Sequence, residues 1–263
     1  MPTFHELRFT HKADIDLLKR FYDDCFIPGF PNPDERDSFE HIKGELDRKE
    51  DGGFGKNNYH VIVVLDGDKP IGGAISDYLV EPNAGVIEYL VIQPDYRGMG
   101  LATQVLEHTE RLLHQDADRS RGRPLDWIVG EMDDPYATPE PTNRFDPFIR
   151  ARLWHNWGYR MLDFPYVQPA LSSDKSAVHT LLLMAKTCSP RFTDSVPSAD
   201  VLSFLREYLG WAMPIAVAQD NKWFEDMCKF LPPEGAVRLV RFSDYLGWEK
   251  EAHLKTKPPL STG

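Results

Sequence analysis

The hydrophobic and polar positions change period several times along the chain, and each change marks an element. FHELRF alternates at period two like a strand, and Ile15, Leu18, Phe21, Tyr22 and Cys25 then recur at helical spacing behind Asp14, which is placed to cap the helix. IPGFPNPDERDS, with prolines at 28, 31 and 33, predicts an exposed loop before SFEHIKGELDRKE resumes a helical period. YHVIVVLDGDKPIGGAISDYLV and GVIEYLVIQP are β-branched and aromatic runs broken by turn signals at Gly67 and from Pro82 to Gly85, which predicts a three-strand antiparallel meander. QVLEHTERLLHQ places Val105, Leu106, Thr109, Leu112 and Leu113 on one helical face, and PLDWIVGEM returns as a buried strand. A strand, helix, strand order is a crossover, so the two strands it joins should run parallel.

Beyond the proline-rich DDPYATPEPTNRFDP, FIRARLWHNWGYRML reads as a helix ending at Gly158 with a strand from Tyr159, and HTLLLMAK as one more strand. From Ser189 the pattern turns mainly helical, with SADVLSFLREYLGWAM and DNKWFEDMCKFL as helices, AVRLVRF as a strand and KTKPPLSTG as a frayed tail. A boundary is therefore expected near residue 188, dividing a domain of 1–188 from an extension of 189–263. The extension's Trp211, Trp223 and Trp248 could cap a site, form a homodimer contact or fill a small core of their own. The two copies of YLGW, at Tyr208 to Trp211 and Tyr245 to Trp248, are too few for a repeat architecture.

Composition narrows the function. The chain has 263 residues, 41% of them hydrophobic, enough for one large domain, and 30 Lys plus Arg against 41 Asp plus Glu give a net charge of -11. That balance disfavours nucleic acid and anionic membranes as partners and mildly favours a cationic one. MPTFHELRF lacks the basic and apolar regions of a signal peptide and no apolar run approaches a membrane span, so a cytoplasmic location is expected. Cys25, Cys188 and Cys228 share no metal or redox spacing and read as reduced thiols, and no metal site is expected.

The candidate chemistry begins at EYLVIQPDYRGMGLAT, where Gly98 and Gly100 lie between a strand and a helix, the setting in which backbone approaches a phosphate. A nucleoside triphosphate loop would need Lys then Ser or Thr where Leu101 and Ala102 stand. A dinucleotide fingerprint has two of its three glycines, with Thr103 at the third, and its turn would follow the strand directly, whereas QPDYR intervenes here. An oxidoreductase is the reading that this partial match leaves open. The whole phrase instead resembles the GCN5-related N-acetyltransferases (GNAT), whose signature of Arg or Gln, two residues, Gly, one residue, then Gly or Ala is filled by Arg97, Gly100 and Ala102.

The resemblance runs over roughly residues 4 to 187. It implies an α/β fold of mixed α+β type, with a central mixed, mostly antiparallel sheet flanked by helices, and the mainly helical extension appended. It also implies acetyl-CoA as acyl donor, with the pyrophosphate against the backbone of Arg97, Gly98, Met99, Gly100, Leu101, Ala102 and Thr103, and Leu90, Val91 and Ile92 offering backbone hydrogen bonds to the acetyl carbonyl and pantetheine. The acceptor would be a primary amine of a small molecule or peptide, attacking directly in a ternary complex.

Transfer to an amine needs a group that accepts the amine's proton, and Glu131 at the end of WIVGEM and Glu88 on the glycine-turn strand are the candidates, Glu131 the preferred one. Period two would set Glu88 on the face of Leu90 and Ile92. The family's LYxxxGF-like segment supplies a Tyr as general acid, but here LWHNWGY puts Trp154 at that position, and an indole cannot donate a proton at neutral pH. His155, Tyr136 and Tyr166 are the alternatives, or the thiolate leaves unaided. The missing tyrosine also makes a non-catalytic acyl-CoA-binding sensor a second reading. Asn143 is displaced from the family's helix-start position, and Asp146 is expected to cap that helix. Glu131, Asp133, Asp134 and Glu140 would make an acidic wall, favouring a cationic acceptor if it is not simply solvated.

Overall fold

The computed structural model describes residues 2–137, 145–212 and 222–248, excepting the side chains of Trp211 and Ala212; Glu140, Asn143 and the KTKPPLSTG tail lie outside the described residues. Strand β1 (Thr3–Glu6) leads into helix α1 (Lys12–Phe21). The helical path continues through a wider turn at Tyr22–Phe26 and a last turn at Ile27–Gly29. The first three residues of the expected loop are thus helix. Asp14 is not the cap: α1 starts two residues earlier, and the buried Asp14 carboxylate instead accepts the Arg8 N–H at 2.9 Å and meets His5 at 2.7 Å, closing the turn from β1. Helix α2 (Phe39–Glu50) is capped by Ser38, whose hydroxyl accepts the His41 N–H.

Strands β2 (Asn58–Asp66), β3 (Lys69–Leu79) and β4 (Ala84–Ile92) form the antiparallel meander that alternation predicts. Helix α3 (Leu101–Arg121) crosses over to β5 (Trp127–Asp133), which pairs parallel to β4. Helix α4 (Pro147–Asn156) is capped by Asp146, whose carboxylate accepts the Phe148 and Ile149 N–H groups. Strands β6 (Arg160–Leu162) and β7 (Leu181–Thr187) then extend the sheet, β7 beside β5. The fold is the mixed α/β architecture expected, with β4–β5 the parallel pair in an otherwise antiparallel sheet.

Past residue 188 the chain stays in the same body. β8 (Ser195–Pro197), helices α5 (Ser198–Ala212) and α6 (Lys222–Lys229), β9 (Ala236–Val240) and helix α7 (Phe242–Leu246) follow. β9 pairs with β6, so among the described residues the sheet has nine strands in the order β1-β2-β3-β4-β5-β7-β6-β9-β8. Phe204, Leu205 and Leu209 of α5 are wholly buried against Trp127, Val129 and Leu183. The extension therefore finishes a core that β5 and β7 begin.

Two registers position the site. β4 and β5 pair from Ala84–Trp127 to Ile87–Gly130 and then separate, opening a wedge beside Leu90, Val91 and Ile92. In β4 the register against β3 jumps between Ile75–Tyr89 and Ser76–Ile87, leaving Glu88 as an extra residue.

Candidate active site

A cavity of about 540 Å³ fills the wedge. Its outer end is lined by Arg97, Gly98, Gly100, Leu101, Ala102 and Thr103, its inner end by Glu88 and Glu131, and its length by Leu90, Val91 and Ile92 of β4. Of the expected residues, Met99 does not line the cavity and is 69% exposed at the tip of the turn. The others are brought together.

The glycine turn owes its shape to conformation. Gly98 and Gly100 have φ of 78° and 74°, a left-handed region that a β-carbon disfavours. No atom lies within 4 Å of where a β-carbon would sit on either, so each approach is left open. Gly100 begins α3 without a side-chain cap, so the first N–H groups of the helix have no side-chain acceptor at the end that borders the cavity. Arg97 donates from Nε to the Ile92 carbonyl at 3.1 Å and lays its guanidinium 5.2 Å from the Phe145 ring, which ties the turn back to the end of β4.

Several lining residues were invisible to motif reading. Gly29 and Phe30 come from the stretch read as an exposed loop; a β-carbon on Gly29 would fall 2.4 Å from Val91 Cγ2, so glycine permits the last turn of that helix to lie on β4. From α4 come Arg150 and Leu153, beside the Trp154 that the motif had singled out, followed by Trp157. Trp157 Nε1 donates to Thr103 Oγ1 at 3.1 Å, fastening α4 to the start of α3. Arg150 pairs with Asp133 and donates to the Phe145 carbonyl.

At the inner end the bulge corrects the period-two expectation for Glu88. Leu90 and Ile92 pack towards α3, while the Glu88 carboxyl hydrogen-bonds Asp77, whose strand partner Val86 lies in the core behind the sheet. Burial, then the Asp77 and Asp37 charges, push the Glu88 carboxyl well above the usual range. Burial also raises Glu131 to about 7, against the pull of its hydrogen bond from the Tyr166 hydroxyl and with help from Asp37 and Glu35. Two carboxyls thus face one cavity, Glu88 raised well above the usual carboxylate range and Glu131 raised to about 7.

The acidic wall is smaller than expected. Asp133 is buried and paired with Arg150, and Asp134 accepts the Tyr136 N–H and the Tyr245 hydroxyl, both at 3.0 Å. Only Glu131 of the described wall residues lines the cavity. Of the candidate proton donors, His155 packs on Trp248 and the Tyr136 hydroxyl donates to the Leu246 carbonyl, so both face α7 and its neighbours. Tyr166 alone reaches a cavity carboxylate. Trp154 lines the cavity and packs edge-on against Trp157 and Tyr159. Among the described residues no cluster of His, Cys, Asp and Glu could hold a metal ion, and no helix is long and apolar enough to cross a membrane.

Residues 15–121 match the model of the Acetyltransferase (GNAT) family. No curated protein sequence matches the chain. Among solved structures, a GNAT-family acetyltransferase structure from Bacteroides thetaiotaomicron is 18% identical with a TM-score of 0.54, covering 80% of this chain and 99% of its own, and it shows the fold. The ribosomal-protein-S18-alanine N-acetyltransferase of Escherichia coli is 15% identical with a TM-score of 0.45, over 72% of this chain and 95% of its own. The PaiA N-acetyltransferase of Thermoplasma acidophilum, solved in complex with coenzyme A, is 11% identical with a TM-score of 0.46, over 71% of this chain and 99% of its own.

Proposed function

From residues 15–121, which carry a domain of the GNAT acetyltransferase family, we propose that the protein transfers an acetyl group from acetyl-CoA to a primary amine of a small molecule or peptide. The observation that carries this reading is the single cavity joining the glycine turn to Glu131 along the free edge of β4.

The outer end suits a pyrophosphate: uncapped N–H groups at the start of α3, the dipole of that long helix, and Arg97 and Arg150 beside them. The edge of β4 released by β5 offers backbone N–H and C=O groups to an extended pantetheine arm and one N–H to polarise the thioester carbonyl. The acceptor then enters at the inner end. Its neutral nitrogen attacks the carbonyl carbon, the carbon–sulfur bond breaks, and the proton released from nitrogen passes to the Glu131 carboxylate, directly or through one water. With Trp154 in place of a tyrosine, the thiolate departs unprotonated and takes its proton from solvent. Acceptor specificity falls to the inner residues around Glu131, while Asp133 and Asp134, held by internal partners, take no part.

CoA thiol release with acetyl-CoA across amines, amino acids, aminosugars and peptides tests the proposal: at least one amine should give release that Glu131→Gln suppresses. Tight CoA binding without release for any amine would favour the second reading that Trp154 keeps open, an acyl-CoA-binding sensor without turnover.

A further inference from the structure

We infer that Tyr166 is a positioning residue of this site: its hydroxyl holds the Glu131 carboxylate at the inner end of the cavity, and helix α5 of the C-terminal segment holds Tyr166. The inference builds on the base role proposed for Glu131.

Tyr166 lies outside the family-matched stretch, between β6 and β7, in a segment whose pairing is the single bridge Gln168–Val178. Its ring is 4% exposed and packs in the cluster of Trp127, Val129, Leu183, Phe204 and Leu205. A phenol buried so deeply needs a partner for its hydroxyl, and the partner is Glu131 Oε1. With Oε1 engaged, Oε2 is the oxygen left for a proton arriving from the cavity that Glu131 lines.

The surroundings explain why a donor is needed there. Glu35 and Asp37 face Glu131 from the segment just before α2, Glu88 faces it from β4 with Asp77 behind it on β3, and the phenols of Tyr89 and Tyr208 approach from β4 and α5. Burial and the Asp37 and Glu35 charges work against an ionised Glu131, and Tyr166 works for it. A hydroxyl donating to a carboxylate is a strong bond only while the carboxylate is charged, which keeps Glu131 available as a base in an acidic, poorly hydrated pocket. The core around it anchors Tyr166, and Phe204, Leu205 and Tyr208 on α5 supply one side of that core. The C-terminal segment therefore acts on the site from behind the sheet, through Tyr166.

The test uses the full chain with carbon-13 at the glutamate carboxyls, the Glu131 signal assigned by its loss in Glu131→Gln. In Tyr166→Phe the Glu131 titration midpoint should rise by about one pH unit, and the acidic limb of kcat/KM for thiol release should move with it while KM for acetyl-CoA stays put. Phe204→Leu, which loosens α5 without removing it, should move the midpoint the same way by less. Midpoints unchanged in Tyr166→Phe overturn the positioning role, and an unchanged midpoint in Phe204→Leu overturns the part given to α5. The carboxyl titration needs no turnover, so it decides the inference even if no amine is acetylated, in which case it is the base role that fails.

Discussion

Glu131 and Glu88 are both carboxyls on neighbouring strands, yet their surroundings set them to different tasks. Glu131, raised by burial to about 7, is protonated below that pH and ionised above it. A base must be ionised to accept the amine proton, so kcat/KM should be lost as pH falls through about 7. Glu131→Gln should lower kcat by roughly 10²–10⁴-fold and abolish that limb, as pH profiles of thiol release would reveal; a limb that survives the substitution assigns the base elsewhere. Glu88, half-buried beside Asp77, is pushed well above the usual carboxylate range by burial and the Asp77 charge, so the acidic limb is assigned to Glu131 and Glu88→Gln should leave it where it is. The glycine turn makes a separate prediction. Ala at position 100 must adopt φ of 74°, at a cost of about 1–2 kcal/mol. Calorimetry of Gly100→Ala should therefore find CoA binding weakened about 5- to 30-fold, because the strain is relieved by moving the turn off its ligand; unchanged affinity would mean that the turn does not hold CoA.

Elements are tied together by polar contacts that no periodicity reveals. His60 on β2 is 3% exposed and lies between Glu6 of β1 and Asp116 of α3, 2.7 Å from each, while Lys49 of α2 reaches Glu6 at 3.1 Å. Burial opposes a charge on His60, but the bonds to Asp116 and Glu6 prevail and raise it above its usual 6.5. Burial likewise opposes a charge on Glu6, and the His60 and Lys49 bonds bring it down from 4.5 to about 2. The histidine's contribution is full below 6.5 and lost as pH rises through its raised value; the glutamate's is full above 4.5 and lost as pH falls towards about 2. Stability from this network should be greatest between those limits. His60→Gln, which removes the charged donor to Glu6 and Asp116 and leaves Asp116 to Asn58 and Arg119, should cost roughly 1.5–3 kcal/mol at pH 6 by urea unfolding and flatten the decline above pH 6.5.

The same contrast explains what the sequence made legible. Strands β2 to β4 and helices α2 and α3 follow from alternation, helical period and turn signals such as Gly67 and Pro82 to Gly85, all of which are local. The glycine turn was legible because left-handed backbone requires that residue. The bulge at Glu88 was not, since a one-residue slip is set by the partner strand and breaks no rule within β4. Gly29 and Phe30 were hidden by their prolines, which suggested a loop where helix persists onto β4. Tyr166 was legible only as a candidate proton donor and not as the partner of Glu131: it stands in irregular chain, and only the closing of the sheet brings it 35 residues back to Glu131.

For the molecule as a whole, the question is whether the chain after 188 is an appendage or part of the body. Its mainly helical pattern suggested an appendage, but β9 continues the sheet through β6 and α5 fills the space behind β5 and β7. Val201, Phe204, Leu205 and Leu209 are all wholly buried. At about 1.5–3 kcal/mol for each large apolar side chain, stripping this helix from Trp127 and Val129 removes an amount comparable to the roughly 5–15 kcal/mol that holds a typical domain folded. Truncation after Cys188 should therefore give a chain without a cooperative thermal transition, insoluble or with its core exposed to a hydrophobic dye. Phe204→Ala in the full chain should remain folded with stability lowered by about 3–5 kcal/mol. A truncated chain that unfolds cooperatively near the full-length midpoint would show the first 188 residues to be independent. Such a chain would still lack α5 behind Tyr166, and its Glu131 midpoint would then report what the site loses when that support is gone.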